Sequence, residues 1–414
     1  MSIFTRLFQP KPSEEKVSRA YQLHMTTPGQ PVWTSPGYIP YANEGYSQNV
    51  IAYQAINKIV NAVATIRWQA KTGSTVLDEH PILALIRQPN PLQSGPAWWR
   101  ARIINLFLSG NLYDERFVIN EAIKELWVLR SDRVDILPSR TGLPAGFVYK
   151  LNGEKRTFAA DPMTGDSDIN HTRLFDPLND WSGMSSFKPA SYAIDQHNEA
   201  MRWMQSLLQN SARPSGALVV DSETSLSDDQ IARLKAQIDE QYSGGSNAGR
   251  PMLLEGGLDW KEMGLSPEDM SIDAVKDSAA RDISLAFGVP PLLLNIPGDN
   301  TFANYREARL GFYEDTIVPF VAFLLTDLNK WLSPYFDAEI VPDLDSIEAL
   351  AEKRRGMWEM VDSSDELTVN EARRLKGLPD LEDAATGSML MADLRASRRG
   401  HTETPAPEAP KDEV

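Results

Sequence analysis

The chain contains no cysteine, so neither a disulfide framework nor a thiolate metal site can be built from it. Histidine is scarce as well. The five residues His24, His80, His171, His197 and His401 include no pair at metal-ligand spacing and no HExxH arrangement. Long apolar runs are missing. The longest, Val318 to Leu325 with Pro319 inside it, falls well short of the roughly 20 residues that cross a bilayer, so no membrane partner is expected. The first residues, Met1 to Phe8, carry one basic side chain and no long apolar stretch, and do not read as a signal peptide. Basic runs are missing too. Lys353-Arg354-Arg355 and Arg398-Arg399 are flanked by acids, and the net charge is −16. Tight duplex binding is driven by Lys and Arg displacing counterions from phosphates, so a broad DNA-gripping surface is not expected. Such an acidic surface would let DNA pass without sticking; solubility alone is the simpler reading.

Catalytic signatures are equally thin. No GxSxG elbow occurs. The Gly244 to Gly249 loop lacks the Lys-Ser/Thr pair of a phosphate-binding loop and precedes a strand pattern, so it reads as a flexible connection. Carboxylates cluster at Asp228-Asp229, at Asp343 and Asp345, and at Asp362 and Asp365. A two-metal nuclease needs such groups to converge in a cleft. The first pair lies in the first turn of an expected helix, where acids favour the dipole, and the others lie in polar segments. Capping and solubility are the preferred reading. No cofactor, no metal and no enzymatic activity are expected.

With 414 residues, 42% of them apolar, the chain can bury more than one core, and two or three subdomains are expected. Residues 1–45 are rich in Pro, Gly, Ser and Thr, without periodicity, and read as an extended arm. From Asn49 to Ile66 apolar residues recur at three and four, which predicts a helix with one buried face. A second helix runs from Ala97 to Leu108 and ends at Gly110. Strand patterns follow at Tyr113–Ile119, Glu125–Leu129, Val134–Leu137 and Phe147–Leu151, and Asn152-Gly153 is a hairpin signal.

A further helix is predicted over Pro189–Asn210, with Ala190, Ile194, His197, Met201, Met204 and Leu208 on one face. Ser227 opens a capping box for a helix to about Tyr242, and a hairpin is expected near Met252–Leu254 and Leu258–Trp260. Ser266 and Pro267 begin the next helix, which Gly288 and Pro290 stop. A long helix then contains Pro319, which should kink it. Thr368-Val369-Asn370-Glu371 is another capping box, closed by Gly377, and the tail from Gly400 reads as disordered. Together these elements predict an α+β chain. Ten tryptophans, among them Trp98, Trp99, Trp203, Trp260, Trp331 and Trp358, favour an obligate oligomer.

The order helix, sharp stop at Phe287-Gly288-Val289-Pro290-Pro291, loop, long helix resembles the portal proteins of tailed phages and gene transfer agents. Gly110-Asn111-Leu112-Tyr113, Ile169-Asn170-His171, Arg213-Pro214-Ser215-Gly216 and Thr368-Val369-Asn370-Glu371 fall in the family's order. Gly183-Met184-Ser185-Ser186 departs from the family's Gly-x-Ser-Pro, and 141–182 match least. The resemblance implies a portal fold: an arm (1–45), a first wing part (46–140), a clip (141–182), a stem helix (183–212), a second wing part (213–297), a tunnel loop (298–303), a long kinked helix and helical crown (304–395) and a disordered acidic tail (396–414).

It implies that Gly298, Asp299, Asn300, Thr301 and Phe302 face a DNA channel, while Phe287 to Pro291 and Asn304 belong to the fold motif. It also implies a homo-oligomeric ring of twelve at one capsid vertex, assembled in the host cytoplasm and carried in the virion, through which DNA is packaged and ejected. Its partners would be the major capsid protein, the terminase large subunit transiently, a head–tail adaptor, and double-stranded DNA that passes without specific binding. The alternatives from the residues are a carboxylate- and metal-dependent nuclease or hydrolase, and a channel-less structural adaptor.

Overall fold

The computed structural model of the chain describes residues 32–140, 142–209, 216–220, 258–262, 271–298 and 301–400, together with positions 229, 230, 232, 233 and 236. Asn49 starts the first long helix, α1 (Val50–Ala64): its side-chain oxygen accepts the N–H groups of Ile51 at 3.1 Å and Ala52 at 2.9 Å. The apolar residues spaced by three and four are the ones buried, from Ala52 to Val63. After β1 (Trp68–Thr72), β2 (Thr75–Leu77) and the short α2 (Pro81–Arg87), helix α3 (Gly95–Ser109) buries Trp98, Trp99, Ile103 and Leu106. It stops at Gly110, whose φ of 77° suits a residue without Cβ.

Among the described residues the strands form four small sheets. β3 (Asn111–Ile119) lies between β4 (Ala122–Leu129) and β8 (Ile169–Arg173), antiparallel to both. β5 (Val134–Leu137), β6 (Gly146–Leu151) and β7 (Glu154–Ala159) form a meander. The β6–β7 hairpin turns on Asn152 and Gly153, at φ 51° and 85°, the two positive values a type I′ turn needs. β1 pairs with β2 and with β11 (Glu339–Pro342), far away in sequence.

Helix α4 (Phe187–Gln209) buries Ala190, Ile194 and His197, but Met201 and Leu208 on the same expected face are exposed. β9 (Gly216–Val220) and β10 (Leu258–Glu262) pair antiparallel, Leu218 opposite Trp260. The expected partner at Met252–Leu254 lies outside the described residues, as do Ser227, the Gly244–Gly249 loop, Ser266 and Pro267. Positions 229, 230, 232, 233 and 236 are helical. Helix α5 (Ile272–Ala286) follows Ser271, which has a φ of 49°.

The long helix runs as α6 (Phe302–Gly311), a π-helical stretch Phe312–Ile317, and α7 (Val318–Phe336). The chain does not break at Pro319. The widened turn immediately before it accommodates a residue that lacks an N–H and would crowd the carbonyl four residues back. The C-terminal part holds α8 (Glu348–Ser363), α9 (Val369–Leu375), α10 (Ala384–Gly387) and α11 (Met391–Gly400).

Two buried clusters are present among the described residues. The larger joins Ile56 and Ile59, Trp99 and Leu106, Phe187, Ile283, Phe287, Leu324 and Leu328, so α1, α3, α4, α5 and α7 share one core. The smaller joins Tyr113, Leu129, Phe147, Tyr149 and Ile169. The expected boundary between 140 and 141 cuts through this second cluster, which takes members from both sides of it. Helix α5, expected in the wing, packs side by side with α4. Periodicity identifies strands and helices but not which of them share a core. The end of the arm differs too. Tyr38–Pro40 and Tyr41–Ser47 are helical, and Tyr41 stacks on Phe187 at 5.8 Å between ring centroids. Gly45 permits this approach, since a Cβ there would lie 2.3 Å from the Phe187 ring.

Candidate functional site

The residues Phe287 to Pro291 turn the chain out of α5. Phe287 is buried and meets Phe107 and Phe187 edge-on, at 5.9 and 5.2 Å, so it nails the end of α5 to α3 and α4. Gly288 takes a φ of 66° and its N–H donates to Leu285 O at 3.0 Å. Its carbonyl accepts the Thr316 hydroxyl at 2.7 Å, and a Cβ on it would sit 3.2 Å from that oxygen. Thr316 belongs to the π-helical stretch, so the stop motif and the widened turn touch directly. Val289 is buried; its N–H donates to Ser284 O at 3.0 Å and its carbonyl accepts the Ser284 hydroxyl. Pro290 and Pro291 lead a 3₁₀ turn, Pro291–Leu294, and Leu293 and Ile296 are the last buried anchors before the loop.

The loop itself is short. Pro297 accepts a hydrogen bond from the Arg281 guanidinium, and Gly298 is exposed. Asp299 and Asn300 lie outside the described residues. Thr301 caps α6, its hydroxyl accepting the N–H of Asn304 at 3.2 Å. Phe302 and Ala303, expected as the end of the loop, are already helical. Asp299 and Asn300 are thus preceded by a buried isoleucine and the hydrogen-bonded Pro297, and followed by a capped helix. Asn304 is exposed near the start of α6. The motif residues 287–291 are thus brought together with the loop entry.

A second junction joins three segments that the sequence shows only as separate motifs. Asn111 accepts the N–H of Gly183 at 2.8 Å and a ring N–H from His171 at 2.9 Å through one oxygen, while its amide donates to Ser109 O. Gly110 and Gly183 touch backbone to backbone, since a Cβ on Gly110 would lie 2.5 Å from the Gly183 carbonyl carbon. His171 stacks on Tyr113 at 4.5 Å. Burial, with Arg173 nearby, pushes its pKa down to about 3, so the ring is neutral. His197 hydrogen-bonds Asn49 at 3.3 Å, and burial lowers its pKa as well.

Sequence reasoning missed the most buried ion pair. Arg102 and Asp114 are both fully buried and 3.0 Å apart, with the guanidinium over Trp98 and Trp99 at 4.5 and 4.6 Å. The pair joins α3 to β3. The signal available was the two adjacent tryptophans followed by an arginine one helical turn on.

Asp228 lies outside the described residues and Asp229 is helical, while the carboxylates of the other two clusters have structural partners. Asp343 caps a turn through the N–H groups of Asp345 and Ser346, Asp345 pairs with Arg354, Asp362 with Lys376, and Asp365 with Arg395. Among the described residues no group of three metal-ligating side chains converges.

Comparison with known proteins bears on this geometry. The family model described as phage portal protein matches residues 51–377. A protein of Rickettsia bellii, without an assigned role, is 39% identical over 349 residues, covering 82% of this chain and 89% of its own. The portal protein of Enterobacteria phage HK97 is 22% identical over 317 residues, covering 73% and 70%. A chain in the neck of a native gene transfer agent particle, computed with C12 symmetry, superposes with a TM-score of 0.65 at 39% identity, covering 85% of this chain and 96% of that one.

Proposed function

The chain belongs to the phage portal protein family, and from that premise we propose that it forms a ring at one vertex of a phage or gene transfer agent head. The observation that carries the proposal is the likeness, over most of both chains, to a chain in a particle neck of C12 symmetry. Twelve copies joined head to tail by unlike surfaces close into such a ring. Its central hole is the DNA channel for packaging and ejection, assembled in the host cytoplasm and retained in the virion.

The side-by-side packing of α4 and α5 supports assigning both helices to the stem. The segment between them, about 210–271, is then the better candidate for the clip where terminase docks during packaging and an adaptor afterwards. The β body over 111–173 goes with the wing, and the elements after 344 with the crown, inside the head and next to the capsid protein. The Pro297–Asn300 span is the tunnel loop, aimed at the DNA. Asp299 from each copy adds a carboxylate there, and a ring of carboxylates repels phosphates. The ring therefore guides DNA that an external ATPase moves; it performs no chemistry of its own.

Negative-stain microscopy of the purified chain tests the ring. A twelvefold ring with a central hole is expected, and a monomer or small oligomer under all assembly conditions would overturn the reading. The loop is tested by replacing Gly298, Asp299 and Asn300 with alanines, which spares the Thr301 cap. Rings are expected to form, while DNA packaged per particle falls. Unchanged packaging would sink the loop assignment.

A further inference from the structure

Between β8 and α4 the chain makes a loop, residues 174–182, that is fixed throughout. The Leu174 N–H donates to Gly110 O at 2.9 Å, and the Asp176 carboxylate accepts the Leu178 N–H at 2.9 Å. Asn179 accepts the N–H groups of Trp181 at 2.8 Å and Ser182 at 3.0 Å, and Arg173 donates to the Asp180 carbonyl. On this frame Phe175 is 83% exposed and Leu178 85% exposed. Two large apolar side chains held rigidly in water mark a contact surface. Asp176 lies between them and Asp180 two residues after Leu178, and no ion pair to either is made among the described residues.

The complementary feature lies at the opposite end of α3. A cavity of about 570 Å³ opens where α1, β1, α2 and the first turn of α3 meet. Leu83, Ile86 and Trp99, all nearly buried, form its apolar floor, and the exposed Arg67 and Arg87 stand at its rim. Neither arginine makes an ion pair among the described residues. Asp78 and Asp343 line the cavity as well, Asp78 accepting from Gln69 at 2.8 Å and Asp343 capping its own turn, and neither carboxylate pairs with Arg67 or Arg87. A second cavity, at Leu285 and Val289, is lined by Asp282 and Asp315, with its arginine, Arg281, hydrogen-bonded to Pro297. It is the wrong sign for an acidic loop.

We propose that the acidic, apolar-tipped loop 174–182 of one copy docks into the arginine-lined cavity beside Trp99 on the next copy in the ring. The inference rests on the ring reading above. A head-to-tail interface needs two unlike patches displaced from one another on the same subunit. Here they sit at the two ends of a 15-residue helix, about 22 Å apart along its axis. Phe175 and Leu178 supply the buried anchors, and Asp176 and Asp180 meet Arg67 and Arg87.

The absence of cysteine makes a clean test possible. Leu178→Cys and Pro96→Cys are combined in one chain, both at exposed positions. The two sites are too far apart for a disulfide within one subunit. Microscopy of wild type first establishes that rings form, which tests the ring reading by itself. Oxidation of double-cysteine rings is then expected to give a ladder of covalent oligomers beyond the dimer on a denaturing gel, with neither single variant doing so. Rings that stay monomeric on that gel overturn the proposal. If the double variant makes no rings, charge exchange decides. Arg67→Glu with Arg87→Glu should abolish rings, and adding Asp176→Arg with Asp180→Arg should restore them. Rings that survive the first pair, or fail to return with the second, also overturn it.

Discussion

Arg102 has five N–H donors and is fully buried, so its charge is tolerable only beside Asp114 and between two indole faces. Removing one partner leaves the other charge buried and alone. Asp114→Ala is therefore expected to lower unfolding free energy by about 3–5 kcal/mol in denaturant titration, while Arg102→Met with Asp114→Leu recovers most of it. His171 gives a pH dependence. Its folded pKa, about 3, lies below its usual 6.5, so the unfolded chain binds the extra proton between those values. The stability it contributes is complete above pH 6.5 and falls as pH drops towards 3, by up to about 1.4 kcal/mol per pH unit. His197 acts in the same direction. His171→Phe, which can keep the stack on Tyr113, should flatten the loss of stability between pH 7 and pH 5 measured by denaturant midpoint. Neither prediction was open to the sequence. Residue types show that a charge exists, but only the fold shows that no water reaches it.

At the scale of elements, local rules were legible wherever the chain satisfies itself within a few residues. The Thr368 box forms as its spacing predicts, with the Glu371 carboxylate accepting the Thr368 N–H at 2.9 Å and the Thr368 hydroxyl accepting the Glu371 N–H at 3.3 Å. Thr368→Ala is expected to cost about 1 kcal/mol, visible as a local rise in amide exchange over α9. Gly110 combines a φ of 77° with a Cβ position 2.4 Å from the Met184 backbone. Gly110→Ala should cost about 1–3 kcal/mol from backbone strain, and more through the clash, read as a lower denaturation midpoint. Less legible was Pro319. Its ring predicts a fault in the helix, but the fault is a π-turn placed before it, because Thr316 finds Gly288 O there. The helical turns over 38–47 were illegible as well. Their burial depends on Phe187, about 140 positions on, and not on their own periodicity.

For the molecule as a whole, a net charge of −16 in each copy multiplies around a ring. The wild-type ring is expected to show no retention of duplex DNA in gel shift at 150 mM salt. Asp299→Lys, by adding a counterion-releasing group at each tunnel loop, should create retention that weakens steeply as salt rises. Salt-independent behaviour of that variant would place the loop away from the DNA. Composition, the order of motifs and the capping and turn residues determined by themselves the α+β class, the helix before Gly110, the stop at Gly288, the long helix beyond it and the family resemblance, because each is written in contiguous residues. Tertiary structure alone decided that β11 completes the sheet of β1, that α5 lies against α4, and that strands on both sides of residue 140 share a core. Those are contacts between distant segments, selected by which apolar faces can be covered together, and a linear pattern records that a face exists but not its partner.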